Sequence, residues 1–324
     1  MLNEFTKANN IKIYESAVIT KSKLDNPNYE RIMVSISGGA DSDIMLDLFA
    51  KLDDKEEKVH YVFFDTGLEY KATKEHLKEL EDKYNIKIEV EKPKVPIPVA
   101  CNKYGQPFLS KQVSEYIQRL QKHSFKWEDR PFEELYKEYP NCKIALLWWC
   151  NGRGEGSSFN IERNKYLKEF MLDNPPNFKI SNICCKCTKK DVKHRYIKEN
   201  QIQLSVVGVR KAEGGARSKS YKNCFTTYED KADEYRPLFW YINETIEAYK
   251  RTYNVTNSDC YTKYGLKRTG CAGCPYGKDF EFELKVLEKY EPKLYKAASY
   301  IFKDSYEYTR KYREFVKKME SDKK

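Results

Sequence analysis

The sequence predicts an α/β fold: a doubly wound, mostly parallel sheet with a helical insertion and a helical C-terminal extension. Three observations predict it. Short apolar runs recur at 31–36, 59–64, 86–90 and 203–209, and helical patterns separate them. The first run leads directly into a small-residue loop and then a helix. Residues from about 110 to 172 and from 279 to 324 carry aromatic-rich helical patterns with no strand signal.

In chain order, the first strand ends at Ile36 and is followed by Ser37, Gly38, Gly39, Ala40, Asp41 and Ser42. Ile44, Met45, Leu48, Phe49 and Leu52 then fall on one helical face. A strand, tight turn and helix in that order aim backbone N–H groups into one hollow. The helix N-terminus adds partial positive charge, so the hollow suits phosphate or sulfate. Glycine keeps side-chain carbon away from such an anion. The string is neither G-x-x-x-x-G-K-[ST] nor G-x-G-x-x-G. The plainer alternative is a Ser/Gly-rich turn capped by Asp41.

The second run, 59–64, ends in Asp65, Thr66, Gly67, Leu68 and Glu69. A helix follows with Leu77 and Leu80 on its buried stripe, then a short strand at 86–90. Ligands of such sheets sit beyond the carboxyl ends of the strands, which is where both loops lie. Pro93, Pro96 and Pro98 then break regular structure, and Trp127, Trp148 and Trp149 mark a packed helical insertion. Gly152, Gly154 and Gly156 read as a flexible connection. The pattern resumes with a helix after Cys184 and a strand at 203–209. Its loop carries Arg210, Gly214, Gly215 and Arg217. Arginine forks suit phosphate and sulfate oxygens, and the alternative is a pair of solvent-facing cations. The expected organisation is one domain over 25–278, with the insertion at about 91–180, and the extension over 279–324.

The 324 residues carry 59 Lys+Arg against 49 Asp+Glu, a formal net charge of +10, which favours anionic partners such as nucleotides, sulfonucleotides or nucleic acid. Glu4, Lys7, Lys12 and Glu15 exclude a secretory apolar core from the first twenty residues, and no stretch is apolar enough for a membrane span. A cytoplasmic protein without membrane partners is expected. Its ten cysteines then point to metal or thiol chemistry rather than a disulfide framework. Cys184 and Cys185 are adjacent, and Cys271 and Cys274 form a C-x-x-C pair flanked by Gly270 and Gly273. Adjacent cysteines diverge around one tetrahedral zinc but reach two irons of a cubane readily, so an iron–sulfur cluster is preferred over zinc or no metal. Cys187, Cys224 and Cys260 are further candidates. Cys101, Cys142 and Cys150 read as inert buried thiols.

The S-G-G-x-D-S string resembles the pyrophosphate loop of the adenine nucleotide alpha-hydrolase-like superfamily, a Rossmann-like group. It includes phosphoadenosine phosphosulfate (PAPS) reductases, ATP sulfurylase small subunits and ATP-dependent tRNA-modifying enzymes. Asp65-Thr66-Gly67 and Gly208-Val209-Arg210 resemble further elements of the PAPS reductase family. The segment from Arg268 to Gly277 resembles the end of its bacterial and phage-type branch. Cys184-Cys185-Lys186-Cys187-Thr188-Lys189 resembles the Cys-Cys-x-x-Arg-Lys segment of adenosine phosphosulfate (APS) reductases that carry a [4Fe–4S] cluster. The resemblance implies Cys184, Cys185, Cys271 and Cys274 as ligands and Lys189 as a nearby cation, with Thr188 replacing the family's arginine. It implies PAPS, APS or ATP as the nucleotide, held by Ser37, Gly38, Gly39, Asp41, Ser42, Asp65, Thr66, Gly67, Lys189, Arg210 and Arg217.

Family reductases carry their nucleophile on a Glu-Cys-Gly-Leu-His segment that this sequence lacks, so the catalytic nucleophile stays unassigned. Reductive sulfonucleotide cleavage, with an electron-donor protein, is the first expectation. The second is ATP-dependent sulfur transfer from a sulfur-donor protein, resembling the DNA phosphorothioation sulfurtransferase component. Its substrate would be nucleic acid, for which no recognisable binding motif is present. The third is a zinc-stabilised nucleotide-binding module without turnover.

Overall fold

The computed structural model describes residues 1–54, 57–214 and 220–322. These form two compact units: Met1–Lys94 with Thr188–Cys271, and Val95–Cys187 with Ala272–Lys324.

The first unit is built on a six-stranded sheet. Strands β1 (Ile32–Ile36), β2 (Val59–Phe64), β3 (Ile88–Glu91), β4 (Leu204–Val206), β5 (Phe225–Thr226) and β6 (Asp233–Tyr235) lie in the order β3-β2-β1-β4-β6-β5. All pairs are parallel except β5 with β6. The central strands are apolar on both faces because helices cover both. Ile32, Met33 and Val34 are fully buried, as are Leu204 and Val206. The chain winds outward through β2 and β3, then returns across β1 to lay down β4. The order of winding therefore reverses between β1 and β4, and the carboxyl edge at such a reversal is where sheets of this kind hold their ligands.

Helix α1 (Ile11–Leu24) precedes the sheet, and its N-cap Asn10 accepts from the Lys12 and Ile13 amides. Helix α2 (Ala40–Leu52) follows β1, with Asp41 and Asp43 in its first turn, where carboxylates favour the helix dipole. Helix α3 (Lys71–Tyr84) follows β2 and buries Leu77 and Leu80 as expected. It ends at Asn85, which adopts the left-handed conformation. Two departures from the sequence expectation concern the later strands. The run 203–209 pairs only over Leu204–Val206, and the hairpin of β5 and β6 extends the sheet unannounced. Asp233, Glu234 and Tyr235 carry no apolar alternation, so only pairing with β4 makes them a strand.

The second unit is helical. Phe108, Tyr116, Phe125, Trp148, Trp149 and Phe170 share one aromatic core with Tyr308 and Tyr312 of the final helix, Lys303–Ser321. Phe108 and Phe170 stand 4.9 and 5.0 Å from the Tyr308 ring. The segments expected as insertion and extension thus fold around one core. Among the described residues, no helix is long and apolar enough to cross a membrane.

Candidate anion and thiol sites

The 37–42 loop folds around one hydroxyl. Ser42 Oγ donates to the Gly39 carbonyl at 2.8 Å and accepts from the Gly39 amide at 3.0 Å and the Ser37 amide at 3.3 Å. Gly38 has φ +64°, and a Cβ there would lie 2.7 Å from Thr73 Cγ2, so this position requires glycine on both counts. Gly39 presents a bare face. A Cβ added to it would stand 3.1 Å from Thr269 Oγ1 and 3.3 Å from both Ser37 Oγ and the Tyr261 hydroxyl. Three hydroxyls therefore converge where a side chain is missing, and the Tyr261 hydroxyl also accepts from the Ala40 amide at 3.3 Å.

Beyond the carboxyl ends of β1 and β4, Arg210 Nε donates to Asp41 Oδ2 at 2.9 Å, and its Nη1 donates to Asn243 at 3.1 Å. A Cβ added to Gly208 would stand 3.7 Å from the Asp41 carbonyl carbon, an ordinary van der Waals distance, so this loop passes Asp41 without requiring glycine. Glu213, which sequence reasoning missed, joins the group. Its carboxyl is pushed up to about 7, first by burial and then by its hydrogen bond to Asp41 and that group's charge, against Arg210 and Arg268. A raised acid pKa means that Glu213 favours the folded state below its ordinary 4.5, and that this contribution is lost as pH rises through about 7. Above that pH the site also gains a negative charge. Affinity for an anion should therefore fall between about pH 6 and pH 8, and Glu213→Gln should flatten the profile. Titration of binding in wild type and variant checks this; equal slopes in the two would remove Glu213 from the site. Arg217 lies outside the described residues.

The loop after β2 forms a second cluster in the same unit. Asp65 Oδ1 accepts from the Gly67 amide at 2.9 Å, Lys74 donates to its Oδ2 at 2.8 Å, and Gly67 sits at φ +88°. Thr66 is fully buried and donates to Glu69 Oε1 at 2.7 Å. Burial raises the Glu69 pKa, and the Lys189 charge is the first of the influences opposing it. That interaction brings the expected cation Lys189 to this loop. Cys271 Sγ stands 3.5 Å from Thr66 Oγ1. The sequence signal for Thr66 and Lys189 was motif spacing, whereas Tyr261, Asn243 and Glu213 carried none.

Cys184, Cys185 and Cys274 belong to the helical unit. The Cys184 pKa is raised, first by a hydrogen bond with Cys101; the bond with Cys185 opposes this, while burial and the charges of Cys101 and Cys274 add to it. Cys101 is buried, as expected, and stands against the Cys184 thiol. Cys142 and Cys150 instead donate to the main-chain carbonyls of Arg119 and Arg130. The Tyr276 hydroxyl donates to the Ser181 carbonyl at 3.4 Å, and that of Tyr306 donates to Gly273, placing both beside the thiols. Among the described residues, no three Cys, His, Asp or Glu side chains converge as a seat for a single metal ion. The thiols are of the chemical kind that a thiophilic centre takes, but their arrangement does not seat one.

Residues 31–276 match the phosphoadenosine phosphosulfate reductase domain. Among curated proteins, none matches. Among solved structures, a PAPS reductase from Candida auris in complex with phosphate is similar at 15% identity and a TM-score of 0.42, over 79% of this chain and 87% of that one. The NH3-dependent NAD synthetase of Campylobacter jejuni with nitrate follows at 14% and 0.37, over 91% and 93%. A U34-tRNA thiolase of Methanococcus maripaludis with its [4Fe-4S] cluster gives 12% and 0.40, over 95% and 80%. At these TM-scores the three likenesses carry no weight for function.

Proposed function

Because the chain belongs to the phosphoadenosine phosphosulfate reductase domain family, we propose that it is an adenine-nucleotide enzyme of sulfur chemistry, with a sulfonucleotide as its substrate. The observation that carries this reading is the bare face of Gly39 ringed by the hydroxyls of Ser37, Tyr261 and Thr269, beside Arg210. Those hydroxyls can each donate to a phosphate or sulfate oxygen. Arg210 can exchange its bond to Asp41 for a fork on the same group. Asp65, Thr66, Gly67 and Lys189 form the second wall of the nucleotide site.

In the reaction proposed, a cysteine thiolate attacks the sulfate sulfur. The bond from that sulfur to the phosphate oxygen breaks, and adenosine phosphate leaves with the electron pair. The cysteine keeps the sulfonate until a dithiol donor attacks its sulfur, releasing sulfite and leaving a disulfide. Cys271, whose Sγ stands 3.5 Å from Thr66 Oγ1, would supply the thiol for the first step. It is also one of the four ligands expected with Cys184, Cys185 and Cys274 for an iron–sulfur or zinc centre, so two roles compete for it. An iron–sulfur centre there would supply electron storage or sulfide relay.

Anaerobic incubation with PAPS, APS and ATP in the presence of a dithiol tests the reading. Sulfite released from PAPS or APS is the expected result. Pyrophosphate released from ATP, without sulfite from either sulfonucleotide, would overturn it in favour of adenylation and sulfur transfer. Tight nucleotide binding without turnover would leave only the binding module.

A further inference from the structure

Beyond the carboxyl ends of β4 and β6, the first unit carries an exposed tryptophan that the proposed nucleotide site does not use. Trp240 is 45% exposed, whereas its neighbour Phe239 is fully buried and meets the indole at 75° with ring centres 4.8 Å apart. The Lys211 amide donates to the Phe239 carbonyl at 2.9 Å, so the loop that carries Arg210 and the loop that carries Trp240 run side by side. The exposed Lys211 then brings its ammonium group to 5.1 Å from the indole centre. A single exposed ring is ordinary on a protein surface. This one is anchored by a buried ring, has a cation against it, and borders the loop that reaches Asp41.

The same edge continues into the hairpin. Because β6 runs parallel to β4 and β5 antiparallel to β6, the residues before β5 lie at the edge where β4 and β6 end. There the Arg236 amide donates to the Cys224 carbonyl at 2.7 Å. The Arg236 guanidinium is fully buried and fixed by the Asn223 carbonyl at 3.2 Å and Glu234 at 2.7 Å. The Tyr221 ring lies against it, 3.9 Å from centre to guanidinium carbon, and the next residue, Lys222, is exposed. Two rings, each against a cation, and two exposed lysines thus follow one sheet edge in a chain of net charge +10. Asp41 and Glu234 are already paired, with Arg210 and Arg236.

An aromatic face stacks with any base, and cations alongside it follow the phosphates; strands are held this way without being read for sequence. A duplex hides the faces of its bases, so such a platform selects an unpaired strand. We propose that this edge binds single-stranded nucleic acid, with a base stacked on Trp240 and the flanking phosphates met by Lys211 and Lys222. Lys211 is free to leave the ring for a phosphate while the base takes the indole face. This function goes beyond the sulfonucleotide reading and stands on different residues, so either fails without the other.

The test is anisotropy of a short, fluorescently labelled oligothymidylate titrated with the full chain at several salt concentrations. Wild type should bind, and more tightly at low salt. Trp240→Ala should weaken binding by about 5–150-fold, the loss of one stacked base, and Trp240→Phe should recover most of it. Lys211→Gln should lower the slope of log affinity against log salt by about 0.7, the share of one phosphate on a single strand. No binding by wild type at low salt, Trp240→Ala binding as tightly as wild type, or a duplex bound as tightly as the strand overturns the proposal. So does an equal loss of adenosine 3′,5′-bisphosphate binding in Trp240→Ala, which would put the base of the small nucleotide on the ring instead. If Trp240→Ala fails to fold, as judged by circular dichroism, acrylamide quenching of tryptophan emission decides. The oligonucleotide should shield the wild type and not Trp240→Phe; equal shielding of the two overturns the proposal.

Discussion

Gly39→Val is expected to weaken binding of PAPS or ATP by more than about a hundredfold while leaving the fold intact. A Cβ alone meets Thr269, Ser37 and Tyr261 oxygens at 3.1–3.3 Å, tight but tolerable after shifts of a few tenths of an ångström. Valine adds two γ-carbons to the same hollow, and they occupy the volume that an anion needs beside the loop. Hydrogen bonds to charged groups are worth about 1.5–3 kcal/mol each, so losing two of the three hydroxyl contacts removes roughly 3 kcal/mol or more. Gly39→Ala should fall between wild type and valine, at about tenfold or less. Calorimetric titration of the three proteins gives the series. Valine binding as tightly as wild type would mean that the ligand does not approach this face, and the proposed nucleotide site would fail with it.

Asp47→Ala should destabilise the first unit by about 3–5 kcal/mol, the range seen when one member of a buried charged network is removed. Asp47 is 1% exposed on α2. Its Oδ1 accepts from the Tyr84 hydroxyl at 2.6 Å, its Oδ2 accepts from the Tyr249 hydroxyl at 2.8 Å, and Lys51 lies at 3.0 Å. One carboxylate thus ties α2 to α3 and to the helix Asn243–Tyr253. Burial and the Asp47 charge both raise the pKa of Tyr84 and Tyr249, so the two phenols stay protonated and continue to donate. Alanine takes the acceptor from the buried Tyr249 hydroxyl and the partly buried Tyr84 hydroxyl, and leaves Lys51 only its longer ion pair with Glu4 at 3.8 Å. Asp47→Asn keeps one acceptor and should cost less. Denaturant titration of the three proteins measures the series; an alanine variant within about 1 kcal/mol of wild type would show that water or a shifted side chain replaces the carboxylate.

Local pattern carried most of the sheet and the first loop. The run Val59–Phe64 is a strand with those bounds, and Ile44, Met45, Leu48, Phe49 and Leu52 are all fully buried on α2. Burial on both faces leaves a continuous apolar signature, and helix amphipathicity a periodic one; both are readable in a single chain. Asp65, Thr66 and Gly67 were legible for a similar reason, since an Asx turn with a positive-φ glycine follows from neighbouring residues. Tyr261, Thr269 and Asn243 reach the first loop from more than two hundred residues away, and no periodicity records that.

The sequence by itself determined an α/β sheet with a glycine loop after its first strand, a family, and a supply of thiols. These depend on residues near one another in the chain, where sterics and polarity act directly. Only the tertiary structure decided that Arg210 closes on Asp41, that three hydroxyls ring Gly39, and that Cys101 rather than a distant bystander stands against Cys184. Each of those pairings is made by packing between segments far apart in sequence, and packing is a property of surfaces that exist only once the chain has folded.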